Sequence, residues 1–222
     1  MAKSKIIKDL ANGQVDLSVS LKRAKVLLNG FEKKEILQWV KYESEGYSDS
    51  VIIPEYRQIK GSLKGTFIVG YMQYSNADIP IVGMEREIRD TIETCYIRQS
   101  IETLKTALKN ENASFGKPIS PDWFNEFMRY SNIDMIVNAS VQIDLTCILN
   151  IFSVVENKLI DIFLLLEKEF GCLDELDLDL TQKDSKEIEK IENNIYVTIF
   201  EDNSITIGDK NKIEESSFTT GD

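Results

Sequence analysis

The sequence predicts a mainly α protein: a helical bundle with a small β excursion at about 56–74 and a short β-rich C-terminal tail. Three observations predict it. Apolar residues recur at helical spacing through most of the first 170 positions, punctuated by Asn-Gly and Gly stops. One stretch, YRQIKGSLKGTFIVGYMQY, mixes β-formers with three glycines. The last stretch, NNIYVTIFEDNSITIGDKNKIEESSF (193–218), repeats short apolar alternations, with Asn-x-Ile at 203–205 and again at 211–213. The expected organisation is a helical domain over 1–172, an acidic linker over 173–192 and a β-rich oligomerisation tail over 193–222.

Residues 3–11 set Ile6, Ile7 and Leu10 on one face of a short helix, which Asn12-Gly13 ends. Asp16 or Ser18 caps the next helix, with Leu17, Leu21, Ala24 and Leu28 at helical spacing before Asn29-Gly30. A third helix, about 32–45, carries Ile36, Trp39, Val40 and Glu43 and stops at Gly46. Glycines 61, 65 and 70 lack the Gly-Lys-Ser/Thr ending of a phosphate loop and serve turns and close backbone approach. Helical spacing returns over Met84–Asn110, and 111–121 reads as the longest loop. Ser120-Pro121-Asp122 then opens a helix through Trp123, Phe124, Phe127 and Met128. The longest helix is expected over about 136–169, apolar nearly all round, with a break near Ser140 or Asp144.

Beyond Gly171, DELDLDLTQKDSKEIEKIENN reads as linker, with room for a turn or two of helix. Its Asp174, Glu175, Asp177 and Asp179 lack the glycine and spacing of a calcium loop, so they read as solvated charge rather than a metal site. In the tail, Ile195, Val197 and Ile199 alternate as a strand, followed by Ile205, Ile207 and Ile213. Strands this short cannot bury their own faces, so stacking between chains, a homo-oligomer, is the expectation, with a small sheet folded back on the helical body as the alternative.

Composition narrows the chemistry. Among 222 residues there is no histidine, which removes the usual neutral-pH base and the commonest metal ligand. Ser-His and Cys-His nucleophile pairs are impossible within the chain, so the expectation is a protein without enzymatic activity or cofactor. The net charge is −11, split into +4 over residues 1–64 and −15 beyond. An acidic body argues against broad binding of nucleic acid, although Lys22, Arg23 and Lys25 make a local basic patch on the second helix. Cys95, Cys147 and Cys172 lie far apart and read as small core residues. With no N-terminal apolar segment, they point to a reducing cytoplasm. The most apolar run, LTCILNIFSVV, is 11 residues long, short of the ~20 a membrane helix needs.

Several segments together carry a family resemblance. SLKRAKVLLNGFEKKEILQWVKYESEGY (20–47) pairs a helix bearing a basic pair with a helix bearing Trp-Val and an acidic residue before Gly-Tyr. Pro54-Glu55-Tyr56-Arg57, Ile97-Arg98-Gln99-Ser100-Ile101-Glu102 and ENKLIDIFLLLEKE (156–169) add three further blocks. Over about residues 3–170 the chain resembles the AbiTii domain, an abortive-infection domain of bacterial phage-defence proteins. It departs from that pattern at Glu156, where arginine is expected before Asn157. The resemblance implies a role in limiting phage growth, with a phage protein or another defence component as partner. It supplies no catalytic residue. Its motif positions here are Trp39, Glu43, Gly46, Tyr47, Tyr56, Arg57, Arg98 and Gln99, each of which packing also explains: Trp39 as a core anchor, Gly46 as a helix cap, and Arg57 and Arg98 as partners for carboxylates such as Glu43. The functional expectation is an oligomeric sensor or inhibitor in phage defence. The alternative is a phage nucleic-acid binder using the basic N-terminal helices.

Overall fold

A computed structural model describes residues 3–110 and 113–201. Three helices form the head: α1 (Lys5–Ala11), α2 (Leu17–Leu27) and α3 (Lys34–Glu45). The Asp16 side chain caps α2 by accepting from the Ser18 N–H at 3.1 Å. A short turn at Glu55–Arg57 leads into β1 (Gln58–Lys60), β2 (Ser62–Val69) and β3 (Met72–Asp78). Next come α4 (Arg86–Glu93), β4 (Thr94–Tyr96), α5 (Ile101–Leu108), β5 (Phe115–Pro118) and α6 (Phe124–Tyr130). The chain continues through β6 (Met135–Ile143), α7 (Leu145–Phe170) and α8 (Ser185–Phe200).

This is a mixed α/β arrangement, not the helical bundle expected from the sequence. The described residues hold a two-stranded antiparallel ribbon, β1–β4, and a four-stranded antiparallel sheet in the order β3-β2-β6-β5. The central pair of the sheet is β2–β6, running from Ser62↔Gln142 to Ile68↔Met135 with a one-residue register shift between Thr66 and Phe67. Gly61 and Gly65 permit it: a Cβ at either would overlap a β6 carbonyl oxygen, that of Gln142 or Asn138.

Four element assignments change with the fold. The long apolar run is β6 followed by α7, and Asp144 divides them: its carboxylate caps α7 through the Thr146 N–H at 2.8 Å. Residues 84–110 are two short helices with β4 between them, because Ile97 N–H bonds the Arg57 carbonyl and Ser100 starts a new helix by capping Thr103 N–H at 3.2 Å. Residues 115–118, expected as loop, pair with β6. Ile195, Val197 and Ile199 lie on a helix, not a strand, and the second half of the supposed linker belongs to that helix. A capping box starts α8: Asp184 accepts from Glu187 N–H at 2.9 Å, and Glu187 accepts from Asp184 N–H at 3.1 Å. From there Ile188, Ile191, Ile195 and Ile199 follow helical spacing onto α3 and α7. Ile205, Ile207 and Ile213 lie outside the described residues.

The core is continuous through the head, α7, α8 and one face of the larger sheet. Its axis is α7, whose Ile148, Ile151, Val155, Leu159, Ile162, Phe163 and Leu166 are all closed to solvent. Cys95 is buried and Cys147 half-buried, but Cys172 is exposed, contrary to the expected core placement. None of the described helices is long and apolar enough to cross a membrane.

Candidate functional site

Five of the eight motif residues meet through their side chains at the junction of α3, the Glu55–Arg57 turn and the segment after β4. Helical spacing sets Trp39 and Glu43 on the inner side of α3. Gly46 then ends the helix at φ +98, its N–H bonding the Tyr42 carbonyl at 2.8 Å. A side chain there would be strained, and its Cβ would press on the Arg98 carbonyl at 3.0 Å. The turn at Gly46 brings Tyr47 back under α3, where its N–H bonds that same Arg98 carbonyl at 2.8 Å.

At the centre Glu43 and Arg57 form an ion pair with neither side chain exposed to solvent. Glu43 Oε1 accepts from Tyr47 Oη at 2.6 Å, Tyr56 Oη at 2.6 Å and Arg57 Nε at 3.1 Å. Its Oε2 accepts from Arg57 Nη2. Arg57 Nη1 donates to the carbonyls of Ile97 at 2.9 Å and Gln99 at 2.8 Å. Trp39 Nε1 donates to Tyr56 Oη at 2.9 Å, closing the network, and the Arg57 guanidinium lies 5.0 Å from the centre of the Tyr47 ring.

The electrostatics follow from burial. Burial first, then the Glu43 charge, pushes both the Tyr47 and the Tyr56 phenol well above the ordinary tyrosine range. Burial alone would make Arg57 easier to deprotonate, but the Glu43 carboxylate more than offsets it and leaves the guanidinium firmly charged. Four donors reach the carboxylate, three on Oε1 and one on Oε2, and no part of the side chain is open to solvent. Acid–base work requires a group within hydrogen-bond reach of a substrate proton. Glu43 offers no such reach. The arrangement clamps three chain segments together across sequence separations of 13 to 42 residues.

The remaining motif positions stand at the rim. Arg98 does not reach Glu43: it donates to the carbonyls of Ser48 at 2.7 Å and Val51 at 2.9 Å and lies 3.5 Å from Asp49. It thereby fastens the loop between Gly46 and Pro54. Gln99 contributes its carbonyl, while its side chain is exposed. Beside the clamp, Trp39, Tyr42, Tyr47 and Tyr196 help line a cavity of about 180 Å³. A larger groove, about 810 Å³, runs past Ile52, Tyr56, Val154 and Phe200. In the basic patch, Arg23 lies 3.9 Å from Asp9 and Lys25 lies 3.8 Å from Glu45, so two of its three charges have carboxylates beside them.

Sequence reasoning missed two polar contacts, one made by a residue it placed in the linker and one by a residue near the end of its longest helix. Glu192 on α8 accepts from the N–H groups of Glu32 at 2.5 Å and Lys33 at 3.1 Å, capping α3, whose own N-cap side chain makes no such bond. Glu167 at the end of α7 accepts from Lys3 Nζ at 2.7 Å, Ser4 N–H at 2.5 Å and Ser4 Oγ at 2.6 Å. Partial burial would raise its pKa, but these donors win and hold the carboxylate at about 2. Neither contact has a local signature, because the partners are 159 to 164 residues apart.

Fold and clamp together define a mixed α/β domain whose signature polar residues are spent on holding its own segments in place. The AbiTii family model matches residues 4–193, and the chain belongs to that family, an abortive-infection domain. The match reaches well into α8, beyond the 3–170 suggested by motifs alone. No curated protein and no solved structure matches the chain.

Proposed function

We propose that this protein serves phage defence by binding rather than by catalysis, as a self-associating sensor or inhibitor of a phage component. Family membership supports the biological setting. The closed Glu43–Arg57 clamp carries the rest: the motif residues that a catalytic reading would recruit have their polar groups directed inward. An abortive-infection protein built this way acts through its surfaces. The groove past Ile52 and Phe200, two exposed apolar residues beside the clamp, is one surface suited to a protein partner. Self-association through Ile195, Val197 and Ile199 as strand residues is set aside, since Ile195 and Ile199 are buried in the protein's own core.

The test is capture of the tagged protein from cells before and during infection, with mass spectrometry of the co-purifying material. A stoichiometric phage protein appearing only after infection is the expected result. Nuclease-sensitive recovery of phage nucleic acid with no protein partner would instead favour the basic-helix reading.

A further inference from the structure

Among the described residues β3 is an open edge of the four-stranded sheet, and we propose that two copies of this chain join there, β3 pairing antiparallel with β3 of the second copy about a two-fold axis. The proposal rests on the self-association reading above and assigns the contact to the sheet rather than the tail. Natural edge strands discourage pairing by being short or by carrying Lys or Pro. The opposite edge does so: β5 is four residues long and contains Lys117 and Pro118. β3 does not. From Tyr71 through Ala77 there is no charged residue and no proline, while Tyr71 is fully open, Met72 64% exposed and Tyr74 41% exposed. The bulge at Asn76 (φ +51) ends the straight part of the strand, and Asp78 lies beyond it.

The register within the hairpin decides which groups face outward. Gly70 and Tyr71 form a two-residue turn closed by Val69↔Met72. Antiparallel pairs alternate between hydrogen-bonded and non-hydrogen-bonded, so at Ile68↔Gln73 the Gln73 N–H and C=O point away from β2. A two-fold axis through Gln73 lets these two groups exchange bonds with Gln73 of the second copy. It also sets Met72 opposite Tyr74 of the second copy, twice, as cross-strand apolar pairs. An open aromatic side chain offers about 150–250 Å², so Tyr71, Tyr74 and Met72 supply roughly 450 Å² per copy. With the strand's main chain and its exposed polar side chains the ceiling, at complete burial, is about 1,200 Å² over both copies, the size of a weak, concentration-dependent contact.

Light scattering on the full chain across a hundredfold concentration range tests this, with Gln73→Pro, Tyr74→Lys and Ile205→Ser/Ile207→Ser/Ile213→Ser as full-length variants and circular dichroism to confirm folding. Gln73→Pro removes only an outward donor, and Tyr74→Lys places like charges beside the axis. The expected result is a two-copy mass for the wild type and the triple Ser variant, halved in both β3 variants with unchanged spectra. A one-copy wild type at every concentration would overturn the proposal, including the case where the monomer instead captures a foreign peptide. So would loss of assembly in the triple Ser variant alone, which moves the contact to the tail and leaves self-association standing.

Discussion

Replacing Arg57 with methionine probes the clamp most sharply. The guanidinium has no solvent exposure and supplies Glu43 with two donors while holding the Ile97 and Gln99 carbonyls. Removing one partner of a buried ion pair costs about 3–5 kcal/mol, because the other charge stays desolvated. Each carbonyl left dry adds ~1–3 kcal/mol, less whatever local rearrangement recovers. Against a typical domain stability of about 5–15 kcal/mol, Arg57→Met alone removes a large share. Glu43→Gln, which places an amide against the guanidinium, costs a comparable amount. Combining the two leaves a neutral amide that still accepts from Tyr47 and Tyr56, so the double variant is expected to lose less than the sum of the singles by about 2–3 kcal/mol. Urea unfolding of all four proteins measures this cycle. Single variants within 0.5 kcal/mol of wild type, or strictly additive losses, would refute the clamp.

Three further outcomes follow from the same contacts. Trp39→Ala should cost about 3–5 kcal/mol in thermal or urea unfolding, and Trp39→Phe, which loses chiefly the bond to Tyr56, roughly 1 kcal/mol. Glu167 has a folded pKa near 2, below its ordinary value of 4.5, so its contribution is complete above pH 4.5 and is lost as pH falls towards 2. Glu167→Gln should therefore be less stable than wild type at pH 7, with the difference closing across that window in acid titrations. Tyr47 and Tyr56 have folded pKa values raised above 10, so the folded state is disfavoured as pH climbs past 10, where only the unfolded phenols ionise. Tyr47→Phe should flatten that alkaline loss, followed by unfolding at pH 9 to 11.5.

The three head helices were legible because their signals are local: periodic apolar residues, an Asp16 cap and a Gly46 stop. The clamp was legible in outline, since the resemblance singled out Glu43 and Arg57 and elementary charge pairing suggested their union. Arg98 does have a carboxylate beside it, Asp49 rather than Glu43, but its closest bonds are to the loop carbonyls of Ser48 and Val51, which no side-chain pattern reveals. β6 was hidden because MIVNASVQI abuts α7 without a glycine or proline, so its short alternation was absorbed into the apolar run that follows. In α8 the β-branched Val197, Thr198 and Ile199 suggested a strand. The Asp184–Glu187 box and the burial of Ile191, Ile195 and Ile199 on α3 and α7 outweigh that preference. Caps between distant segments, such as Glu192 on α3, become visible only when the fold brings those segments together.

The most direct test of whether the clamp holds the fold or performs chemistry is phage protection by the Glu43→Gln/Arg57→Met double variant. Plaquing efficiency should be scored at a temperature where unfolding curves show the variant more than nine-tenths folded. A structural clamp predicts protection within a few-fold of wild type. A folded double variant that gives no protection would contradict the account and make Glu43 and Arg57 functional groups in their own right.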